Sequence, residues 1–269
     1  MAGTLRASLA ILAVVLVSST AGADVKQGLS ALEKKDYGAA AKQFSTAFEA
    51  GEADGAFYLG RMMELGFGGP ANLKSAVALY LAGSAKGSPQ AKNRLGVLHI
   101  EGKGVLQDYQ QGAKLVCEAA ELKDQNGQFN CGTLLLEGKG VEKNEKLAYD
   151  WFSKASDQGH LGAKNQYALA LMEGKYVSRD IDKAVQLFQQ TAAKGNPLGL
   201  FSIAQAFATG LGAEKDVVKA HAYFNIASAL GHPQAADARK TVEKSMKQPQ
   251  IVEAQQLARA WRPEKTTPK

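Results

Sequence analysis

The chain has 269 residues, 45% of them hydrophobic, with a formal net charge of +6 and only two cysteines. Abundant Ala and Gly with aromatics at 7% suit closely packed helices and argue against a sandwich or barrel. The positive excess is spread over isolated lysines, which is the pattern of a solvated surface and disfavours nucleic acid as a partner.

In chain order, residues 1–23 come first and read as a signal peptide. Arg6 supplies a positive start, Ser8 to Val17 is apolar but too short to span a bilayer, and Ala21-Gly22-Ala23 is an A-x-A cleavage signal. An uncleaved anchor is the alternative. Cleavage leaves a mature chain from Asp24 that loses only Arg6 among charged residues. No lipid-accepting Cys stands at the cleavage point and no second long apolar segment follows. The expected product is periplasmic or secreted, with no integral membrane segment after cleavage.

From residue 55 to 234 the chain repeats every 36 residues. Gly66, Gly102, Gly138, Gly174 and Gly210 are in one phase. With Gly at about a tenth of the chain, chance gives such a column about once in 10⁵. Leu59, Leu95, Cys131, Tyr167 and Ile203 form a second column. Small residues form two more: Gly60, Gly96, Gly132, Ala168, Ala204, and Ala76, Gly112, Ala148, Ala184, Ala220. An aromatic column runs Tyr80, Val116, Phe152, Phe188, Phe224.

Each column has a physical reading. A Gly inside a helix costs roughly 1 kcal/mol against Ala, so its recurrence implies close helix packing. The Gly66 column ends a first helix in a left-handed residue. Gly68, Gly104, Gly140 and Gly212 follow two residues on, and Tyr176 breaks that series, so the fourth turn is expected to differ in shape. Gly87, Gly159, Gly195 and Gly231 end the second helix, with Lys123 the exception. Pro89, Pro197 and Pro233 stand two residues further, suited to starting the next helix. Five helix–turn–helix units are therefore expected over 55–234.

The same phase runs backward through Ala40, Phe44, Ala47 and Gly51, which predicts a shorter hairpin over 24–54. After Gln234 the phase stops. Ala235 to Lys247 reads as a helix broken by Pro249. Ile251, Ala254, Leu257, Ala258 and Trp261 mark one face of a last helix that caps the stack, giving capping helices over 235–262 and a disordered polar tail over 263–269.

The stretches Leu95 to Val105 and Cys131 to His160 carry a Leu-Gly or Cys-Gly pair, a Gly-x-Gly turn and, in the second, a Leu-Ala pair, an aromatic and a closing Gly. These resemble the SLR family (Sel-one-like repeats), relatives of the tetratricopeptide repeats, over nearly all of the mature chain. The resemblance implies an all-α, right-handed α-solenoid. It also implies an adaptor rather than an enzyme, and for exported members a cell-envelope regulator or assembly factor.

Cys117 and Cys131 each lie seven residues from a turn near Asp124, so in an antiparallel hairpin they sit at one height and a disulfide is reasonable. Two separate buried thiols are the alternative. A cysteine-rich branch of the resembled family staples its hairpins with disulfides at shorter spacing, a partial match. His160 and His232 follow closing glycines as repeat residues at turns, and His99 and His221 have no Cys or acidic partner at ligand spacing, so no metal is expected. The Gly-Lys-Gly stretches lack the spacing and the Ser/Thr of a phosphate loop, and no activated-serine motif occurs. No cofactor and no catalytic residue are assigned.

The remaining signal is the inner face of the first helices. By analogy with tetratricopeptide units, Phe57, Asn93, Phe129, Asn165 and Phe201 face inward, followed by Arg61, Val97, Thr133, Leu169 and Gln205. Alternating rings and carboxamides suit an extended protein or peptide partner, apolar side chains on the rings and main chain on the amides. The alternative is that the three Phe simply pack successive helices. For the whole chain, a cell-wall or β-lactam-related hydrolase and a purely structural spacer in an envelope assembly stand as the other readings.

Overall fold

The protein is described here by a computed structural model over residues 25–264. The expected signal peptide lies outside the described residues. Among them there are fourteen α-helices and no strand.

A first hairpin consists of α1 (Val25–Glu33) and α2 (Tyr37–Glu49). Five hairpins follow, each an A helix and a B helix: α3 (Asp54–Leu65) with α4 (Leu73–Ala85), α5 (Pro89–Glu101) with α6 (Tyr109–Glu121), α7 (Gln125–Glu137) with α8 (Glu145–Asp157), α9 (Leu161–Glu173) with α10 (Ile181–Ala193), and α11 (Pro197–Thr209) with α12 (Val217–Ala229). The stack closes with α13 (Ala235–Glu243) and α14 (Gln248–Ala260). From α1 to α13 each helix packs on the next in sequence, and α14 packs on α12, so the chain is an α-solenoid.

Polar caps punctuate the helices. Every B helix starts behind an Asp or Asn that accepts a hydrogen bond from a backbone N–H in its first turn: Asn72, Asp108, Asn144, Asp180 and Asp216, with Asp36 doing the same for α2. Four A helices start behind Ser88, Asp124, His160 and Asn196. Each A helix ends at a left-handed glycine of the Gly66 column.

Small residues set how near the helices come. A Cβ on Gly96 would lie 2.7 Å from the Gly112 carbonyl oxygen, and one on Gly112 would lie 2.8 Å from the Gly96 carbonyl oxygen. The two glycines face each other across α5 and α6 with backbone against backbone. The aromatic column fills the space beside them, with Tyr80, Phe152, Phe188 and Phe224 all buried.

Three expectations are corrected. Tyr176 does not alter the fourth turn: its φ of +63° falls beside the +70° to +85° of Gly68, Gly104, Gly140 and Gly212. The left-handed conformation costs a non-glycine residue about 1–2 kcal/mol. Tyr176 offsets it by stacking on Tyr149 with ring centroids 5.8 Å apart, while its hydroxyl, with Lys143 and Lys175, holds the Glu145 carboxyl down at about 2. Pro249 does not break a helix; the chain has already left α13 at Glu243, and Pro249 occupies the first turn of α14, where a missing N–H costs nothing. The polar tail begins docked rather than loose, because the Glu264 backbone N–H donates to the Ala193 carbonyl at 2.8 Å. Residues 265–269 lie outside the described residues.

Cys117 and Cys131 form a disulfide with Cα atoms 5.0 Å apart, tying α6 to α7. Replacing both by Ser is expected to lower the unfolding free energy by about 3 kcal/mol, measured by urea unfolding with and without reductant. Gly96→Ala is expected to destabilise by about 1–2 kcal/mol in the same assay. The helix-propensity gain of about 1 kcal/mol is outweighed by overpacking against Gly112.

Candidate functional site

The A helices of the first three units touch one another as well as their own B helices: α5 lies against both α3 and α7. No pair of successive B helices approaches as closely among the described residues. Elements on the inside of a bend are crowded and those outside are spread, so α3, α5 and α7 form an inner wall. Their inner faces border an open cavity of about 430 Å³. Phe57, Arg61, Asn93, Val97 and Phe129 all line it, joined by Arg94, Gln90, Asn126 and Asn130.

An ionic cluster stands behind the cavity. Glu64 accepts hydrogen bonds from Arg61 at 2.7 Å, from the Tyr80 hydroxyl at 2.6 Å and from Arg94 through both of its oxygens. Burial by itself would raise the Glu64 carboxyl, but the bonds from Arg94, Tyr80 and Arg61 hold it down at about 2. Burial and the same carboxylate raise the Tyr80 hydroxyl. Two guanidiniums share one carboxylate, and the Arg61 side chain is still 35% exposed toward the cavity.

The other walls are amides and rings. The Asn130 side-chain amide donates to the Asn93 oxygen at 3.0 Å, which fixes the orientation of both carboxamides. Gln90 Oε1 is buried with no hydrogen-bond partner among the described residues. At one end Asp124 caps α7, and burial pushes its carboxyl up. His160 caps α9, its Nδ1 accepting from the Ala163 N–H at 3.1 Å, while its ring stacks on Phe129 at 4.4 Å. Burial lowers the His160 ring, which favours the neutral form that the cap requires.

The other five expected residues lie outside this cavity. Asn165 is buried, accepting from the Thr191 hydroxyl at 2.8 Å and donating to Asn196 at 2.8 Å. Phe201 is buried in the core against Phe224 and stacks on His232 at 4.0 Å. The Thr133 hydroxyl is spent on the Phe129 carbonyl, Leu169 packs against the core around Phe188, and Gln205 is exposed. Arg94, Gln90, Asn126 and Asn130 were not anticipated. The first two follow from the spacing of a helix, since residues three and four apart from Asn93 and Val97 share their face.

Five consecutive segments, 53–88, 89–124, 125–160, 163–196 and 197–232, match the model of the Sel1 repeat. The chain belongs to the Sel1 repeat family. Two solved structures are similar to it in fold. One is c5321 of uropathogenic Escherichia coli, a protective antigen with an SLR fold, at 24% identity and a TM-score of 0.72 over 92% of this chain. This chain spans 59% of the length of that one. The other is a Sel1 repeat protein from Oxalobacter formigenes, at 22% identity and a TM-score of 0.70, covering 92% of this chain and 100% of that one. A comparison with curated proteins finds no match. Sel1 repeats are protein–protein interaction modules and a scaffold that is generally non-catalytic. No helix among the described residues is long and apolar enough to cross a membrane.

The Glu64 cluster makes a pH prediction. Its folded value is below the ordinary 4.5, so the stability it contributes is present above about pH 4.5 and is lost as pH falls toward about 2. Thermal unfolding across that window is expected to fall more steeply for the natural chain than for Glu64→Gln. Parallel curves would remove Glu64 as the source.

Proposed function

We propose that this Sel1 repeat protein is an adaptor or regulator of the bacterial cell envelope that holds an extended segment of a partner protein on its inner α3–α5–α7 face. The carrying observation is the cavity that gathers Phe57, Phe129 and Val97 with two arginines and four carboxamide side chains. Such a lining matches the needs of a bound strand. Rings and Val97 cover apolar side chains, and carboxamides answer main-chain N–H and C=O groups. Arg61 favours a partner with an acidic side chain nearby. Asn165 and Phe201 would extend the path beyond this cavity only by leaving the partners they already hold.

Work outside the cytoplasm is supported by the disulfide, since such bonds persist in oxidising compartments, and by the Ala21-Gly22-Ala23 signal.

The test is affinity capture from envelope extracts with the mature chain as bait, beside Val97→Trp, which fills the cavity. The partner is expected to drop at least tenfold on Val97→Trp while the helical circular-dichroism signal is unchanged. A partner retained equally by a folded Val97→Trp bait contradicts the groove reading and favours the convex face or the ends.

A further inference from the structure

Beyond α14 the chain leaves helical conformation at Trp261, with φ −62° and ψ 138°, and turns back across the last units. It lands at the turn between α10 and α11. The Trp261 ring and Pro263 lie against Gly195, the Glu264 N–H donates to the Ala193 carbonyl at 2.8 Å, and the Glu264 carboxylate meets Lys194 Nζ at 3.0 Å. The indole packs on the core that holds Ile203, Phe224 and Ile226.

Two features separate this strap from an ordinary packed terminus. Trp261 stands between two open spaces, about 220 Å³ beside Gln189, Ile203 and Tyr223, and about 270 Å³ beside Asn225, Ile226 and Leu230. Both spaces open to solvent, the second between α12 and α14. Its register is also informative: Gln189 and Ile203 fall two repeats after Cys117 and Cys131. At the earlier junction a covalent bond joins the B helix to the next A helix. At the later one the chain's own segment lies over the same place, held without a covalent bond by the Trp261 ring, Pro263, a main-chain hydrogen bond and a surface ion pair.

Those contacts are the ones an extended peptide ligand makes: an apolar anchor, a main-chain N–H on a main-chain carbonyl and a carboxylate on a lysine. We propose that the α10–α11–α12 slot is a second docking site, separate from the inner groove, which the strap occupies in place of a partner segment of the same chemistry. That segment carries a Trp followed by Pro and an acidic residue in extended form. Its tether gives the strap an effective concentration on the order of millimolar, so only a ligand that buries more surface displaces it. The spaces flanking the indole provide that margin for a segment with bulky apolar side chains beside its Trp.

The probe is a fluorescein-labelled synthetic peptide of residues 259–266, followed by fluorescence anisotropy against the full mature chain. Trp261→Ala in the protein vacates the slot and is expected to bind the peptide at least tenfold more tightly than the natural chain does. The same peptide with its Trp replaced by Ala is expected not to bind. Adding Val97→Trp to the Trp261→Ala protein is expected to leave binding unchanged, because the inner groove is not involved. Should Trp261→Ala lose its helical signal, Lys194→Glu serves instead, and it is expected to prefer a peptide carrying Glu264→Lys over the natural one. Equal binding by the natural and vacated proteins, no binding to a folded vacated protein, no charge preference in the swap, or loss of binding with Val97→Trp would each overturn the proposal.

Discussion

Everything in this molecule depends on how closely two helix backbones approach at Gly96 and Gly112. Each glycine's missing Cβ is filled by the other's carbonyl oxygen, so the spacing of α5 and α6 is set by main chain rather than by adjustable side chains. The equivalent columns are Gly or Ala in every full unit, and the aromatic column occupies the room left beside them. A unit built this way is rigid, and stacking five of them propagates small geometric differences into a curve. That curve brings α5 against both α3 and α7 and makes an inner wall.

What lines the wall follows from what the fold must hold in place. Arg61 and Arg94 would be mobile on an open surface, but a shared Glu64, itself held by the Tyr80 hydroxyl, restrains both. Asn93 and Asn130 orient each other in the same manner. Preorganised donors lose less entropy on binding, so a partner meets amides and a guanidinium already aimed. Further along the stack the same column is spent internally: Asn165 serves Thr191 and Asn196, and Phe201 serves the core. In the first three units Arg61, Arg94, Asn126 and Asn130 line the cavity, whereas Asn165 and Phe201 of the last two units are buried among their neighbours.

The repeat architecture was legible because its cause is periodic: close packing demands small residues at fixed intervals, and turns demand left-handed ones. The caps were equally legible and were missed. Asn72, Asp108, Asn144, Asp180 and Asp216 recur every 36 residues, and each starts a B helix. Composition at a single position misled at Tyr176, where stacking on Tyr149 and a bond to Glu145 sustain a glycine conformation. The inner ladder was half legible. Spacing places Asn93 and Asn165 on equivalent faces, but only contacts between units decide that Asn93 lines the cavity and Asn165 does not. Nothing periodic announces the Trp261 strap, because it belongs to no repeat.

The central claim is the backbone-to-backbone approach of α5 and α6, and it is open to direct observation in solution. In a nuclear Overhauser spectrum of the mature chain, the α-protons of Gly96 are expected to show a strong cross-peak to those of Gly112. A well-resolved pair of glycine signals with no such cross-peak would contradict the packing on which the curved stack and its inner wall are built.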